Sequence, residues 1–155
     1  MSFPCEIQQR PAQATLAVRF TVPVQELPQH IGRAYGAVMQ YLTQRGEYPA
    51  GMPFALYHNM DMANLDIEAG FPVAHALPGE GDVQPGEVPA GTYAIGHYTG
   101  SYAELGPAYD ELTEWTAAQG YVPTGVAYEW YLNGPDEAAP EELKTDIMFE
   151  VTRAE

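Results

Sequence analysis

Hydrophobic and polar positions alternate with two periods along this chain, and the two follow one another in the same order twice. Thr15 to Phe20 puts Leu16, Val18 and Phe20 on one side, the period-two pattern of a half-buried strand. Pro23 and Pro28 then break the pattern, and Ile31, Tyr35, Val38 and Leu42 recur at helical spacing until Gly46 stops the helix. Phe54 to His58 sets Phe54 and Leu56 against Ala55 and Tyr57, and Asn64 to Glu68 predicts a further strand. Residues 72–91, rich in proline, glycine and acid, show no period and are expected to be a connector over the surface. The order then resumes with a strand over Thr92 to Tyr98. Ser101-Tyr102-Ala103-Glu104 has the form of a capping box, and Pro107 fits a first helical turn. Leu105, Ala108, Leu112 and Trp115 make one helix face, and Gly120 ends it. A strand through Tyr128-Glu129-Trp130-Tyr131-Leu132, an acidic loop from Asp136 to Glu142, and a strand over Thr145 to Val151 complete the chain.

The recurrence is also literal. Ile31-Gly32-Arg33-Ala34-Tyr35 matches Leu105-Gly106-Pro107-Ala108-Tyr109, and the same offset takes Gly46 to Gly120, Pro49 to Pro123, Gly51 to Gly125, Tyr57 to Tyr131 and Asn59 to Asn133. Thr15-Leu16-Ala17-Val18 matches Thr92-Tyr93-Ala94-Ile95, and Asp66-Ile67 matches Asp146-Ile147, with length changes falling where loops are expected. The chain therefore reads as a duplicated strand-helix-strand-strand module. Residues 1–155 are taken as one domain with repeat units at about 15–71 and 92–151 and a connector at 72–91. The expected class is α+β: an antiparallel-rich sheet with two main helices on one face and a ligand pocket on the other. Strand parity assigns Leu16, Val18, Phe54, Leu56, Tyr93, Ile95, Tyr128, Trp130, Ile147 and Phe149 to the helix-covered face. Ala17, Ala94, Gly96, Tyr98, Tyr57, Glu129, Tyr131, Asp66, Asp146 and Met148 fall to the other. That second set mixes small residues, rings and carboxylates, the lining of a hollow rather than of a second core.

Composition narrows the functions. A formal net charge of −15, with only six basic residues and none of them clustered, excludes direct nucleic-acid binding and favours a cationic small molecule or a basic protein patch. The single Cys5 cannot form an internal disulfide and is expected to be an inert thiol near a frayed terminus, which fits a reducing compartment. No signal-peptide pattern and no membrane-length apolar run is present, so a cytoplasmic protein with no membrane association is expected. His58, His75 and His97 are too scattered for a metal-ligand set, and the glycines from Gly79 to Gly91 do not link a strand to a helix as a phosphate cradle would. No metal or cofactor is expected. Trp115 and Tyr109 read as core positions of their helix.

The run Tyr128-Glu129-Trp130-Tyr131-Leu132-Asn133-Gly134-Pro135, with Pro140-Glu141-Glu142-Leu143-Lys144-Thr145-Asp146-Ile147, resembles the end of the GyrI-like small-molecule-binding domain. That bacterial family includes the effector-binding domains of multidrug-responsive transcription activators and a stand-alone gyrase inhibitor. The resemblance spans Thr15 to Val151 and implies a duplicated strand-helix-strand-strand fold. It implies a pocket-floor carboxylate for lipophilic cations at Glu129, with Tyr131 lining the pocket, Tyr57 as its repeat partner, and Tyr98 and Tyr102 as further ligand-binding positions; strand parity adds Met148. No helix-turn-helix precedes Thr15, so the expectation is a stand-alone binding module rather than a complete activator. Two alternatives accompany it. One is a hydrolase of cyclopropane-containing alkylating compounds, with Glu129 and Tyr131 as the catalytic pair. The other is an acidic protein-interaction inhibitor whose protein partner is DNA gyrase.

Overall fold

The structure, a computed structural model, describes residues 3–154. In chain order the elements are β1 (Cys5–Arg10), β2 (Gln13–Val22), α1 (Leu27–Gln44), β3 (Phe54–Tyr57), β4 (Leu65–Pro72), β5 (Gln84–Val88), β6 (Gly91–Thr99), α2 (Leu105–Ala118), β7 (Tyr121–Tyr131) and β8 (Lys144–Arg153). They form two compact units. Residues 11–90 make the first, and the chain up to Arg10 joins Gly91 onward to make the second. Each unit is a four-stranded antiparallel sheet with one helix packed on it, so the class is α+β as expected.

In the first unit the strands run β3-β4-β2-β5, and in the second β7-β8-β6-β1. The series β2-α1-β3-β4 and β6-α2-β7-β8 thus occupy equivalent places in their own sheets, as the internal repeat predicts. Two strands lie outside that prediction. β5 comes from the stretch expected to be a connector and pairs with β2. β1 comes from the expected frayed terminus and pairs with β6 along its whole length, Cys5 opposite Gly96 and Arg10 opposite Gly91. The connector stretch also contributes side chains to a core. Leu77 and Val83 are buried with Leu16, Val38, Leu42 and Phe71 under α1. Each such side chain withdrawn from water contributes about 1.5–3 kcal/mol, which explains why this aperiodic stretch holds one conformation.

Both helices stop at the glycines that the sequence nominates. Gly46 takes a left-handed φ of 68° and its N–H donates to Thr43 O at 3.1 Å, and Gly120, at φ 87°, bonds Ala117 O at 3.0 Å. A side chain other than glycine is strained in that region of φ. The start of α2 differs from expectation. Tyr102–Glu104 form a short 3-10 turn in which the Glu104 N–H bonds the Ser101 carbonyl at 3.2 Å, and no side chain caps it. The Ser101 carbonyl also accepts the Tyr98 hydroxyl at 2.8 Å, tying the end of β6 to the entry of the helix.

In the second unit Ala94, Ala127, Ile147, Phe149 and Val151 meet Ala108 and Leu112 of α2, with Phe3 closing one side. Glycine at position 96 is what leaves room for the Phe3 ring. A Cβ at Gly96 would lie 2.6 Å from the Phe3 ring and 3.5 Å from Leu112.

Candidate ligand-binding site

Register decides which side chains share a face. β7 and β8 pair Ala127 with Phe149, Glu129 with Ile147 and Tyr131 with Thr145, while β6 and β8 pair Ala94 with Phe149, Gly96 with Ile147 and Tyr98 with Thr145. Directly paired residues point the same way. Glu129, Tyr131 and Tyr98 therefore lie on the face that α2 covers, beside Ile147 and Phe149. Tyr128, Trp130, Tyr93, Ile95 and Met148 lie on the other. This corrects the sequence-based assignment of faces, which put α2 over Tyr128 and Trp130 and grouped Met148 with Glu129. The first unit shows the same inversion on β3. Ala55 pairs with Ala69, which pairs with Val18 on the α1 side, so Ala55 and Tyr57 face α1 and Phe54 and Leu56 do not. The cause is that both faces are dry. Tyr128 is 2% exposed and Glu129 5%, so hydrophobicity does not mark the side the helix takes.

Glu129 is the chemical centre of the second unit. Its Oε2 accepts the Tyr109 hydroxyl at 2.5 Å and its Oε1 the Tyr131 hydroxyl at 2.7 Å. Tyr109 comes from α2, where its ring packs on Phe149 at 5.5 Å. Tyr131 comes from the same strand as the acid, two residues on, and Tyr102 meets its ring edge-on at 5.9 Å. Burial pushes the Glu129 carboxyl above the ordinary carboxylate range, and the two phenolic hydrogen bonds pull it partly back. Burial, and after it the charge of Glu129, pushes the Tyr102 phenol up. The arrangement is a buried carboxylate with two phenol donors and a third ring at 39% exposure leading out to solvent.

Glu129, Tyr131 and Tyr102 thus come together as the sequence suggests. Tyr98 shares their face, but its hydroxyl is spent on Ser101 and its ring packs edge-on against Phe3 at 5.9 Å. A Cβ at Gly100 would lie 2.6 Å from that hydroxyl, so glycine is what allows the approach. Tyr57 is buried in the first unit. The member that sequence reasoning missed is Tyr109, taken as core. The signal was available: a buried tyrosine hydroxyl needs a partner, and the nearest unexplained polar group on the opposing strands was Glu129.

Two histidines tie strands together. His97 Nδ1 lies 2.8 Å from Asp146 and its Nε2 2.6 Å from Glu6, joining β6 to both neighbours, and His58 lies 2.5 Å from Glu68 in the first unit. Among the described residues no group of three or more His, Cys, Asp or Glu is placed to hold a metal ion, and no helix is long and apolar enough to cross a membrane. Cys5 is half-buried in β1, where burial pushes its thiol up.

A sheet-and-helix module present twice gives the chain its class, a duplicated α+β fold. The sequence matches the family of the GyrI-like small molecule binding domain over residues 3–152, and the chain belongs to that family. Solved structures of the same fold include EcmrR, seen in an EcmrR–DNA complex (24% identity, TM-score 0.83, 98% of this chain and 58% of that one) and as its isolated C-terminal domain (24%, 0.78, 99% and 100%). This chain therefore spans little more than half of the EcmrR chain in the DNA complex. A hydrolase encoded by lin2189 from Listeria innocua (12%, 0.73, 96% and 91%) and SAV2435 bound to tetraphenylphosphonium (13%, 0.61, 96% and 94%) share the fold as well. No curated protein sequence matches the chain.

Proposed function

We propose that this chain is an effector-binding module for lipophilic organic cations, and that Glu129 is the charge that selects them. The observation that carries the proposal is the buried Glu129 carboxylate, held on one oxygen by Tyr109 and on the other by Tyr131. An ionised carboxylate has about four lone-pair sites, so two phenol donors orient it without exhausting it. The low-dielectric surroundings strengthen its attraction for a cation, and a delocalised cation brings little hydration to lose. Each aromatic wall adds about 0.5–2 kcal/mol of cation–π attraction with loose geometric demands, which suits ligands of varied shape. The tetraphenylphosphonium bound to SAV2435, a protein of the same fold, supports this ligand class. The formal charge of −15 raises the local concentration of cations around the whole molecule. The test is a fluorescence titration with a cationic dye against wild type and Glu129→Gln. We expect the variant to bind at least about tenfold more weakly, the equivalent of about 1.4 kcal/mol, and to bind a neutral dye of the same size as well as wild type. Equal cation affinity in both proteins would refute the electrostatic part.

A second reading rests on the same pair. A carboxyl with raised proton affinity beside a phenol is equipped to act as a general base on a water molecule, and a relative of this fold is described as a hydrolase. For a cyclopropane-containing alkylating compound, this reading expects turnover beyond one equivalent with wild type and none with Glu129→Gln, followed by loss of substrate with time.

A further inference from the structure

We infer that Thr145 is a second polar anchor of the Glu129 site, and that the site favours organic cations carrying a hydrogen-bonding group away from the charge. The inference rests on the ligand-binding reading of Glu129 given above. Thr145 opens the buried part of β8 and is 0% exposed. Among the described residues its Oγ1 meets no hydrogen-bond partner. A buried hydroxyl left without a partner lowers stability, and the great majority of buried polar groups avoid that state. Valine has nearly the same shape, suits a strand and carries no such penalty, so the hydroxyl needs a reason.

Its position supplies one. Thr145 is paired with Tyr131 on one side and Tyr98 on the other, and it lies on the helix-covered face with Glu129. Glu129 is paired with Ile147, so Thr145 is its diagonal neighbour across the two strands, where Cα atoms are about 7–8 Å apart. Neither flanking tyrosine hydroxyl bonds Thr145 Oγ1, and both are directed elsewhere. The Tyr131 hydroxyl donates to Glu129 and that of Tyr98 to the Ser101 carbonyl. A hydroxyl both donates and accepts, so Thr145 can meet an amine, a hydroxyl or a carbonyl on a ligand whose cationic centre sits at Glu129. The site then has one charge anchor and one neutral anchor, with rings between them.

The experiment compares two cations of equal charge and ring system: ethidium, which has two exocyclic amines, and its desamino analogue, 5-ethyl-6-phenylphenanthridinium, which has none. Both are titrated by fluorescence into wild type, Thr145→Val, Thr145→Ser and Glu129→Gln, and the melting temperature of each protein is measured without ligand. Wild type is expected to prefer ethidium. Thr145→Val should cut that preference about fivefold to tenfold, Thr145→Ser should keep it, and Glu129→Gln should weaken both cations together. Thr145→Val should also melt at the same temperature as wild type or higher, because it removes a buried hydroxyl that has no structural partner. A preference unaltered in Thr145→Val overturns the inference and leaves the Glu129 reading standing. A lower melting temperature for Thr145→Val also overturns it, since the hydroxyl would then hold a structural water. Failure of wild type to bind either cation overturns both readings.

Discussion

Glu129 has two hydrogen bonds and almost no water, and these act on its proton in opposite directions. Burial raises its proton affinity and the hydroxyls of Tyr109 and Tyr131 lower it, with burial the larger effect. In the unfolded chain the group titrates at its ordinary value of about 4.3. Between that value and the raised folded one, the native state binds more protons than the unfolded state, so stability falls as pH rises through the window. Above the window the loss is complete and constant. Glu129→Gln has no proton to bind there. Its melting temperature relative to wild type should therefore climb as pH rises from about 4 and then level off, and parallel profiles would contradict the account. Tyr109→Phe removes a donor from the buried carboxylate and should cost about 1–3 kcal/mol at neutral pH in urea unfolding, with a smaller cost in acid. At this scale the strand pattern correctly placed Glu129 and Tyr131 side by side. It could not show that α2 covers them, because Tyr128 on the opposite side is as dry as Glu129. The sequence offered Tyr109 as a phenol in need of a partner, but not the rotation of the helix above the sheet that brings its hydroxyl to Glu129.

Among elements, β1 and β5 were the ones that sequence could not show, each for its own reason. β5 reads Gln-Pro-Gly-Glu-Val, with four of its five residues exposed, and proline is tolerated there because an edge strand leaves one row of N–H groups unused. β1 offers a single large aliphatic, Ile7, and otherwise short or polar residues. What fastens β1 is partly ionic. His97 on β6 reaches Glu6 on β1 at 2.6 Å and Asp146 on β8 at 2.8 Å. The hydrogen bond to Glu6, and next that to Asp146, raises the His97 imidazole above its ordinary value despite some loss from burial. A raised histidine stabilises the fold fully below its unfolded value of about 6.5 and loses that contribution as pH rises through the folded value. His97→Gln should therefore lower the melting temperature most below about pH 6.5, and the gap from wild type should close on the alkaline side. The groups are partly solvated, so the full effect should stay below about 1 kcal/mol. Hydrogen exchange at the amides of β1 should report the same pH dependence more sharply than global melting. A gap independent of pH would mean that packing, not charge, holds the strand.

For the whole molecule, duplication was legible because the matched residues are those that backbone geometry enforces. Gly46 and Gly120 both take left-handed φ at helix ends, and Tyr57 and Tyr131 both close a strand. The copies differ where chemistry enters, since Ala55 stands in the first where Glu129 stands in the second. One further property belongs to no element, the formal charge of −15. It acts on a cationic ligand at long range, whereas Glu129 acts only in contact, and salt separates the two. The screening length is about 10 Å at 0.1 M salt and about 3 Å at 1 M, so added salt weakens the diffuse field and leaves a buried carboxylate largely unscreened. Stopped-flow mixing with a cationic dye should then show an association rate falling up to about tenfold between 10 mM and 500 mM salt, while the dissociation rate changes less than twofold. Glu129→Gln should show the opposite division: the same salt dependence of association, and a faster dissociation at every salt concentration. A neutral dye should show neither. If salt instead acts mainly on dissociation, Glu129 is reached by ions and water, and the dry carboxylate on which the binding proposal depends is ruled out.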